Sequence, residues 1–351
     1  MGFEESMVHS FQKSGNSSPK IQFRCVKNII MEAVSNNKTQ CVPLIGIAGV
    51  SLSNTTIKEN LTNSEIQFDT INRICNRFKP DCIFTFMDLT VEVESLGLKI
   101  NFPENESPSV SGHSIKNRAL LEEVKANYKG ISGRMNVFID TVKKMSENIA
   151  IKKGAYVIGP FSLAGELCGV NDLLMNLIED PEFAHGLIEF SLKVIADYSN
   201  KLFEAGADTV CVLEPTAMML SADLYDEFSL EPFKKLLNKV DNRPLILHIC
   251  GDTTHLVDGM CKSGASALSL DSLIDFKKII KQIPTNIDLI GNLDPVGIFL
   301  NGDVKSVSGA TSNLMEEMKG HSNFVLSSGC DLPLETPLEN VDAFMKVARY
   351  N

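Results

Sequence analysis

Eight short apolar runs punctuate the chain, each bounded by Gly, Pro, Asn or Asp: 42–49 (VPLIGIAG), 81–88 (DCIFTFMD), 155–161 (AYVIGPF), 209–215 (TVCVLEP), 244–250 (PLILHIC), 267–271 (ALSLD), 287–293 (IDLIGNL) and 323–329 (NFVLSSG). They are nearly continuous in apolar character, the pattern of parallel strands covered on both faces. Most of the segments between them, at 63–77, 172–204, 221–240, 254–263, 275–282 and 303–319, together with 338–349 after the last, repeat apolar residues every three or four positions and predict helices. Eight strand-then-helix units predict a (β/α)8 TIM barrel. A doubly wound open sheet is the rival fold; no G-x-G-x-x-G opens a first strand-to-helix turn to support it.

Local signals refine this frame. Thr62 and Glu65 have capping-box spacing, and Ser221 and Asp303 stand where helices should start. Residues 21–34 predict an N-terminal amphipathic helix that closes the barrel floor. Residues 90–154 are too many for one crossover and predict an insertion between strands 2 and 3, with an extended polar loop (FPENESPSVSGHS) followed by a long helix. The expected division is a polar, flexible stretch at 1–20 and one barrel domain at 21–351.

Composition narrows the partners. Lys and Arg number 33 against 44 Asp and Glu, leaving a formal net charge of −11, which argues against nucleic acid or an anionic membrane surface. No apolar run approaches the roughly 18 residues of a membrane span, and residues 1–20 lack the apolar centre of a secretory signal, so a cytoplasmic location is expected. Nine cysteines, an odd number scattered through a long chain, read as reduced thiols. Most sit among apolar neighbours and should act as small hydrophobes.

In a barrel of this type the chemistry gathers at the C-terminal ends of the strands. Those ends carry Asp88, Glu214, His248 with Cys250, Asp271, Asn292 with Asp294, and Cys330. His248 and Cys250 are two positions apart on one strand, so their side chains leave on the same side of the pleat. About 0.15 such H-x-C pairs are expected by chance, so the pair alone is weak. Cys330 follows the eighth strand, whose rim a closed barrel brings near the fifth. Two thiolates and an imidazole are donors that suit Zn²⁺, and three protein ligands leave the fourth position open for chemistry. The plain alternative is that His248 bonds a neighbour and both cysteines are buried packing.

The acidic strand ends carry readings of the same two kinds. Asp271 is a possible fourth ligand, an acceptor orienting His248, or a cap for the helix near Asp275. Glu214 is either a solvated rim carboxylate or an acceptor facing substrate. Asp88, Glu92 and Glu94 form an acidic cluster whose repulsion would raise at least one pKa in a dry cavity. His113 and His255 read as structural or surface residues, and His9, His185 and His321 carry no supporting context.

Longer stretches bear a resemblance: MDLTVEVESLG (87–97), SVSGHSIKN (109–117), GPFSLAGELCG (159–169), EDPEF (179–183), AGAD and VLEPTA (205–208, 212–217), LHICGDT (247–253), LSLD (268–271), GNLDP (291–295) and SSGCDLPLETPLENV (327–341). In these the chain resembles the uroporphyrinogen decarboxylase superfamily over about 21–349, and within it the methylcobalamin:coenzyme M methyltransferase branch. The resemblance implies a (β/α)8 barrel binding zinc through an H-x-C pair and a distant Cys in a G-C segment, which map onto His248, Cys250 and Cys330. It also implies a methylated corrinoid, carried by a corrinoid protein, as donor and a small thiol such as coenzyme M as acceptor. The zinc-bound substrate thiolate would be the nucleophile, with no side chain in that role. Asp88, Glu92, Glu214, Asn292 and Asp294 are the candidates to touch substrate or support the ligands. The decarboxylases carry an arginine-rich R-Q-A-G-R segment after the first strand, where this chain has IGIAGVSLSNTT, and a His where it has Cys330. Decarboxylation, transfer to a folate and a turnover-free tetrapyrrole-binding barrel remain as alternatives, the first because Asp88 falls at the decarboxylases' catalytic aspartate position.

Overall fold

The computed structural model describes residues 39–350, so the expected helix at 21–34, the stretch 1–20, Cys25 and His9 lie outside the described residues. Eight parallel strands close into a barrel: β1 (Gln40–Cys41), β2 (Cys82–Phe84), β3 (Lys152–Ile158), β4 (Thr209–Leu213), β5 (Leu245–Ile249), β6 (Ala267–Leu270), β7 (Asp288–Leu293) and β8 (Phe324–Ser328). Pairing runs in sequence from β2 to β8, and β8 returns to β1. The β1–β2 seam is held differently: the Asp81 amide donates to the Cys41 carbonyl, and the Cys41 amide to the Asp81 carboxylate.

Alternation along the strands fills the barrel. Leu44, Phe84, Tyr156, Leu213, Ile246 and Val325 belong to the inner cluster, while Ile83, Val157, Val212 and Leu247 belong to the larger core against the helices. Phe84 and Tyr156 stack with ring centroids 5.0 Å apart. Gly154 makes room for Phe84: a Cβ there would lie 2.1 Å from the ring. The interior is therefore packed, and any chemistry belongs at the mouth.

Four expectations need correction. The first strand is Gln40–Cys41, not 42–49: Pro43 has no N–H to continue the ladder to β8, and the Leu44 amide turns to Ser328 Oγ instead. The helix expected at 172–204 is two, Val170–Glu179 and Pro181–Glu204, because Pro181 cannot extend a helix and Asp180 caps the second by accepting from the Phe183 amide. The capping box belongs to Thr56 and Glu59; Thr62 bonds back to the Lys58 carbonyl, and Asn63 caps the helix Ser64–Phe78. Within 90–154 the long helix divides into Arg118–Asn127 and Met135–Asn148, parted by a turn with Gly130 and Gly133 at positive φ, and part of the polar loop forms a short hairpin. Ser221 and Asp303 do cap helices. Among the described residues no helix is long and apolar enough to cross a membrane.

Candidate metal centre

β5 ends in LHI with Cys250 one residue beyond, and its pleat turns His248 inward at 1% exposure. Register places Ser269 of β6 beside it, and the Ser269 hydroxyl lies 2.9 Å from His248 Nδ1. Nε2 thereby faces the mouth, 3.0 Å from Cys250 Sγ. Gly251, at φ 88°, turns the chain just past Cys250, and a Cβ there would strike the Met218 sulfur. Cys330 reaches the pair from β8. Gly329 makes that approach possible: a Cβ on it would lie 2.5 Å from the Ser272 amide nitrogen, so only glycine lets the end of β8 lie against the loop after β6.

The result is a triad. Cys250 Sγ and Cys330 Sγ are 3.7 Å apart, and one donor atom each from His248, Cys250 and Cys330 lies within 4.8 Å of the others. Two thiolates about 2.3 Å from a tetrahedral ion stand about 3.8 Å apart, so the sulfur pair is spaced as a zinc ion would require, and the donor types match. Cys330 is pushed down because its thiolate accepts from the Cys250 thiol and faces His248, and Cys250 is pushed up as the donor.

The carboxylates are placed otherwise. Asp271 accepts from the Gly251 amide through Oδ2 and the Leu273 amide through Oδ1; it braces the two loops, the His248 ring is oriented by Ser269, and Asp275 caps the helix that follows. Asp271 is not part of the triad. Glu214 is neither solvated nor facing the mouth: at 0% exposure it receives the Phe161 and Ser162 amides at the start of helix Pro160–Cys168, and burial pushes it up to about 7. The Asn292 amide donates to the Asp271 and Ile274 carbonyls, and Asp294 caps the turn Pro295–Leu300. All three bond to backbone groups of the rim.

Across the mouth Asp88 and Glu92 are buried. Asp88 receives the Thr90 amide and hydroxyl and pairs with Arg134, which also pairs with Glu94 and lies over the Phe102 ring. Glu92 accepts from the Ile158 amide, its second oxygen has no hydrogen-bond partner, and burial is the main cause that pushes it up to about 8. His113 bonds the Glu166 carbonyl and His255 the Leu220 carbonyl, both structural; His185 pairs with Glu227 on the surface. A wide groove of about 860 Å³ runs over the outer helices beside Tyr128, Phe190 and Lys193, away from the triad.

Reading the sequence missed Ser269, Arg134, Asp331 and Tyr156. A lone Ser in the apolar run ALSLD was the available signal for Ser269, and adjacency to Cys330 for Asp331. Nothing local distinguishes Arg134, whose role depends on how the insertion folds back.

A closed barrel with a sulfur-and-imidazole triad at its mouth defines a class of barrel in which three side chains at the strand ends could hold a metal ion. The sequence profile described as Uroporphyrinogen decarboxylase (URO-D) matches residues 28–350, and the chain belongs to that family. A curated relative, the methylcobamide:CoM methyltransferase MtbA of Methanosarcina mazei, is 30% identical over 269 residues, covering 75% of this chain and 77% of that protein. The uroporphyrinogen decarboxylase of a Prochlorococcus marinus strain is 28% identical over 301 residues, covering 82% of this chain and 85% of that one. A solved methyltransferase from Methanosarcina mazei superposes with a TM-score of 0.80 at 24% identity, covering 92% and 96% of the two chains, which shows the shared barrel.

Proposed function

We propose that this protein is a corrinoid-dependent methyltransferase: it moves a methyl group from a methylated corrinoid, presented by a separate corrinoid protein, to a thiol at the His248–Cys250–Cys330 triad, with zinc as the resident ion. The observation that carries the reading is the triad itself, two sulfurs 3.7 Å apart beside an inward imidazole at the mouth. The relatives named for methyl transfer from methylcobamide to coenzyme M, and one named methylated-thiol–coenzyme M methyltransferase, supply the direction of the chemistry.

Zinc held there supplies Lewis acidity that keeps an incoming thiol as thiolate near neutral pH. Cys250 and Cys330 serve as ligands and never as nucleophiles, and because two cysteinates cancel the ion's charge, the substrate sulfur stays electron-rich. Ser269 fixes the ring of His248, and Gly329 holds Cys330 within reach. The substrate sulfur forms a bond to the methyl carbon as the cobalt–carbon bond breaks; the pair stays on cobalt as cob(I)alamin, and the thiol proton has already passed to solvent. Asp88 is paired with Arg134 inside the wall, which counts against a decarboxylase role for it.

The test is zinc per chain by elemental analysis, with thiol-dependent loss of methylcobalamin followed by absorbance, wild type beside Cys330→Ser. Stoichiometric zinc and turnover in the wild type, both lost in the variant, are expected. Full turnover in the variant, or a wild type that stays metal-free after reconstitution with zinc, overturns the reading.

A further inference from the structure

We infer that Cys250 and Cys330 form a redox switch: in metal-free protein a hydroperoxide joins the two sulfurs into a disulfide, which shuts out the metal until a thiol reductant reopens the site. Their sulfurs lie 3.7 Å apart, and each cysteine sits just past the end of its strand, free of the barrel's ladder. A disulfide needs about 2.05 Å, so the gap closes by about 1.7 Å. The backbone around both residues is pinned. The Gly251 amide donates to Asp271 Oδ2, the Gly329 amide to the Leu293 carbonyl, and the Leu332 amide to the Leu44 carbonyl and to Asp331 Oδ1. Closure therefore falls to rotation of the two side chains, while the strands keep their places.

Exposure singles out the same pair. Cys41, Cys82, Cys168 and Cys211 are buried, and the partly exposed Cys75 and Cys261 stand on separate outer helices, Ser64–Phe78 and Val257–Cys261. Cys250 and Cys330 are both partly exposed, within reach of a small oxidant and of each other. One thiol attacks the terminal oxygen of the hydroperoxide and breaks its O–O bond, leaving a sulfenic acid and an alcohol, or water where hydrogen peroxide is the oxidant. The second sulfur then bonds to the first, and the sulfenic oxygen departs as water. Two electrons pass from the sulfurs to the peroxide, and the two thiol protons end on the alcohol and the water. An ion and a disulfide need the sulfurs at different spacings, about 3.8 Å around zinc and about 2.05 Å when bonded, so each state excludes the other. Once the sulfurs are joined, His248 is left as a lone ligand. The bond itself needs only the two thiols; its antagonism to zinc rests on the zinc reading above.

The experiment treats the whole chain, metal-free and zinc-loaded, with hydrogen peroxide, and reads intact mass, peptide maps and zinc released to a chromogenic chelator. Metal-free protein should lose about 2 Da, show a Cys250–Cys330 link and fail to take up zinc, and dithiothreitol should restore both mass and zinc binding. Zinc-loaded protein should react more slowly and release about one zinc per link formed. In Cys330→Ser the link should vanish and dimedone should trap Cys250 as its sulfenic acid; if that variant does not fold, the wild-type map decides. Metal-free protein that passes straight to sulfinic or sulfonic acid, or that links other cysteines instead, overturns the switch. Linked protein that still binds zinc, or equal rates with and without zinc, overturns the exclusion. A chain that forms the link but never binds zinc overturns the zinc reading and leaves the disulfide standing; a zinc-binding chain that forms no link does the reverse.

Discussion

Two polar clusters face each other across the barrel mouth, and they are satisfied in opposite ways. On the β2–β3 side, Asp88 and Arg134 are buried and spend their bonds on each other, on Thr90 and on Glu94, while buried Glu92 gives one oxygen to the Ile158 amide. On the β5–β8 side, His248, Cys250 and Cys330 have few bonds outside their own group. A buried charge needs a partner, and Asp88 has one in the wall. The sulfur donors gather around a space that an ion completes. Burial and titratable side chains alone do not separate structure from chemistry; the distinction lies in whether the bonding capacity is already used.

The comparison can be broken hardest through its ion pair. Arg134→Met leaves Asp88 buried without a cation and should lower stability by about 3–5 kcal/mol, read from urea unfolding, while zinc per folded chain stays at the wild-type value. Loss of zinc at unchanged stability would mean that the two clusters are one device.

A smaller effect comes from Glu92. Its folded pKa, about 8, is raised above its ordinary value of 4.5, so the neutral acid is the form the fold favours. That contribution is complete below pH 4.5 and is lost as pH rises toward and through 8. Glu92→Gln should therefore gain stability relative to wild type as pH rises across this window. Urea midpoints at several pH values measure it, and parallel curves for the two proteins would contradict it.

The smallest expected change sharpens the metal side. Ser269→Ala removes the partner of His248 Nδ1 and should weaken zinc binding by about tenfold, seen by competition with a chelator, with little change in melting temperature. Unaltered zinc affinity would show that packing alone orients the ring.

Much of this arrangement was legible in the chain. Strands such as 209–215 and 244–250 announce themselves because both faces are covered, and H-x-C on one of them needs only the pleat to aim both donors together. Cys330 was reachable because a barrel's end must meet its beginning. What stayed hidden depends on distant partners. Arg134 meets Asp88 from 46 positions away through a fold-back at Gly130 and Gly133, and Glu214 was misplaced because its partners, the amides of Phe161 and Ser162, start a helix that the run AYVIGPF concealed. Pro43 ended β1 early for a reason visible in the sequence, but its apolar neighbours masked it.

The sulfur pair also joins parts of the chain that lie 80 positions apart. Once an ion sits between them, Cys250 and Cys330 clasp β5 to the end of β8, and the intervening strands and helices form a closed loop that the unfolded chain keeps for as long as the ion is held. Such a loop has less entropy to gain by opening, and the saving grows with its length. Metal loss would therefore loosen the C-terminal half of the barrel first, so that resistance to proteolysis between β6 and β8 would report occupancy in a protein never offered a substrate.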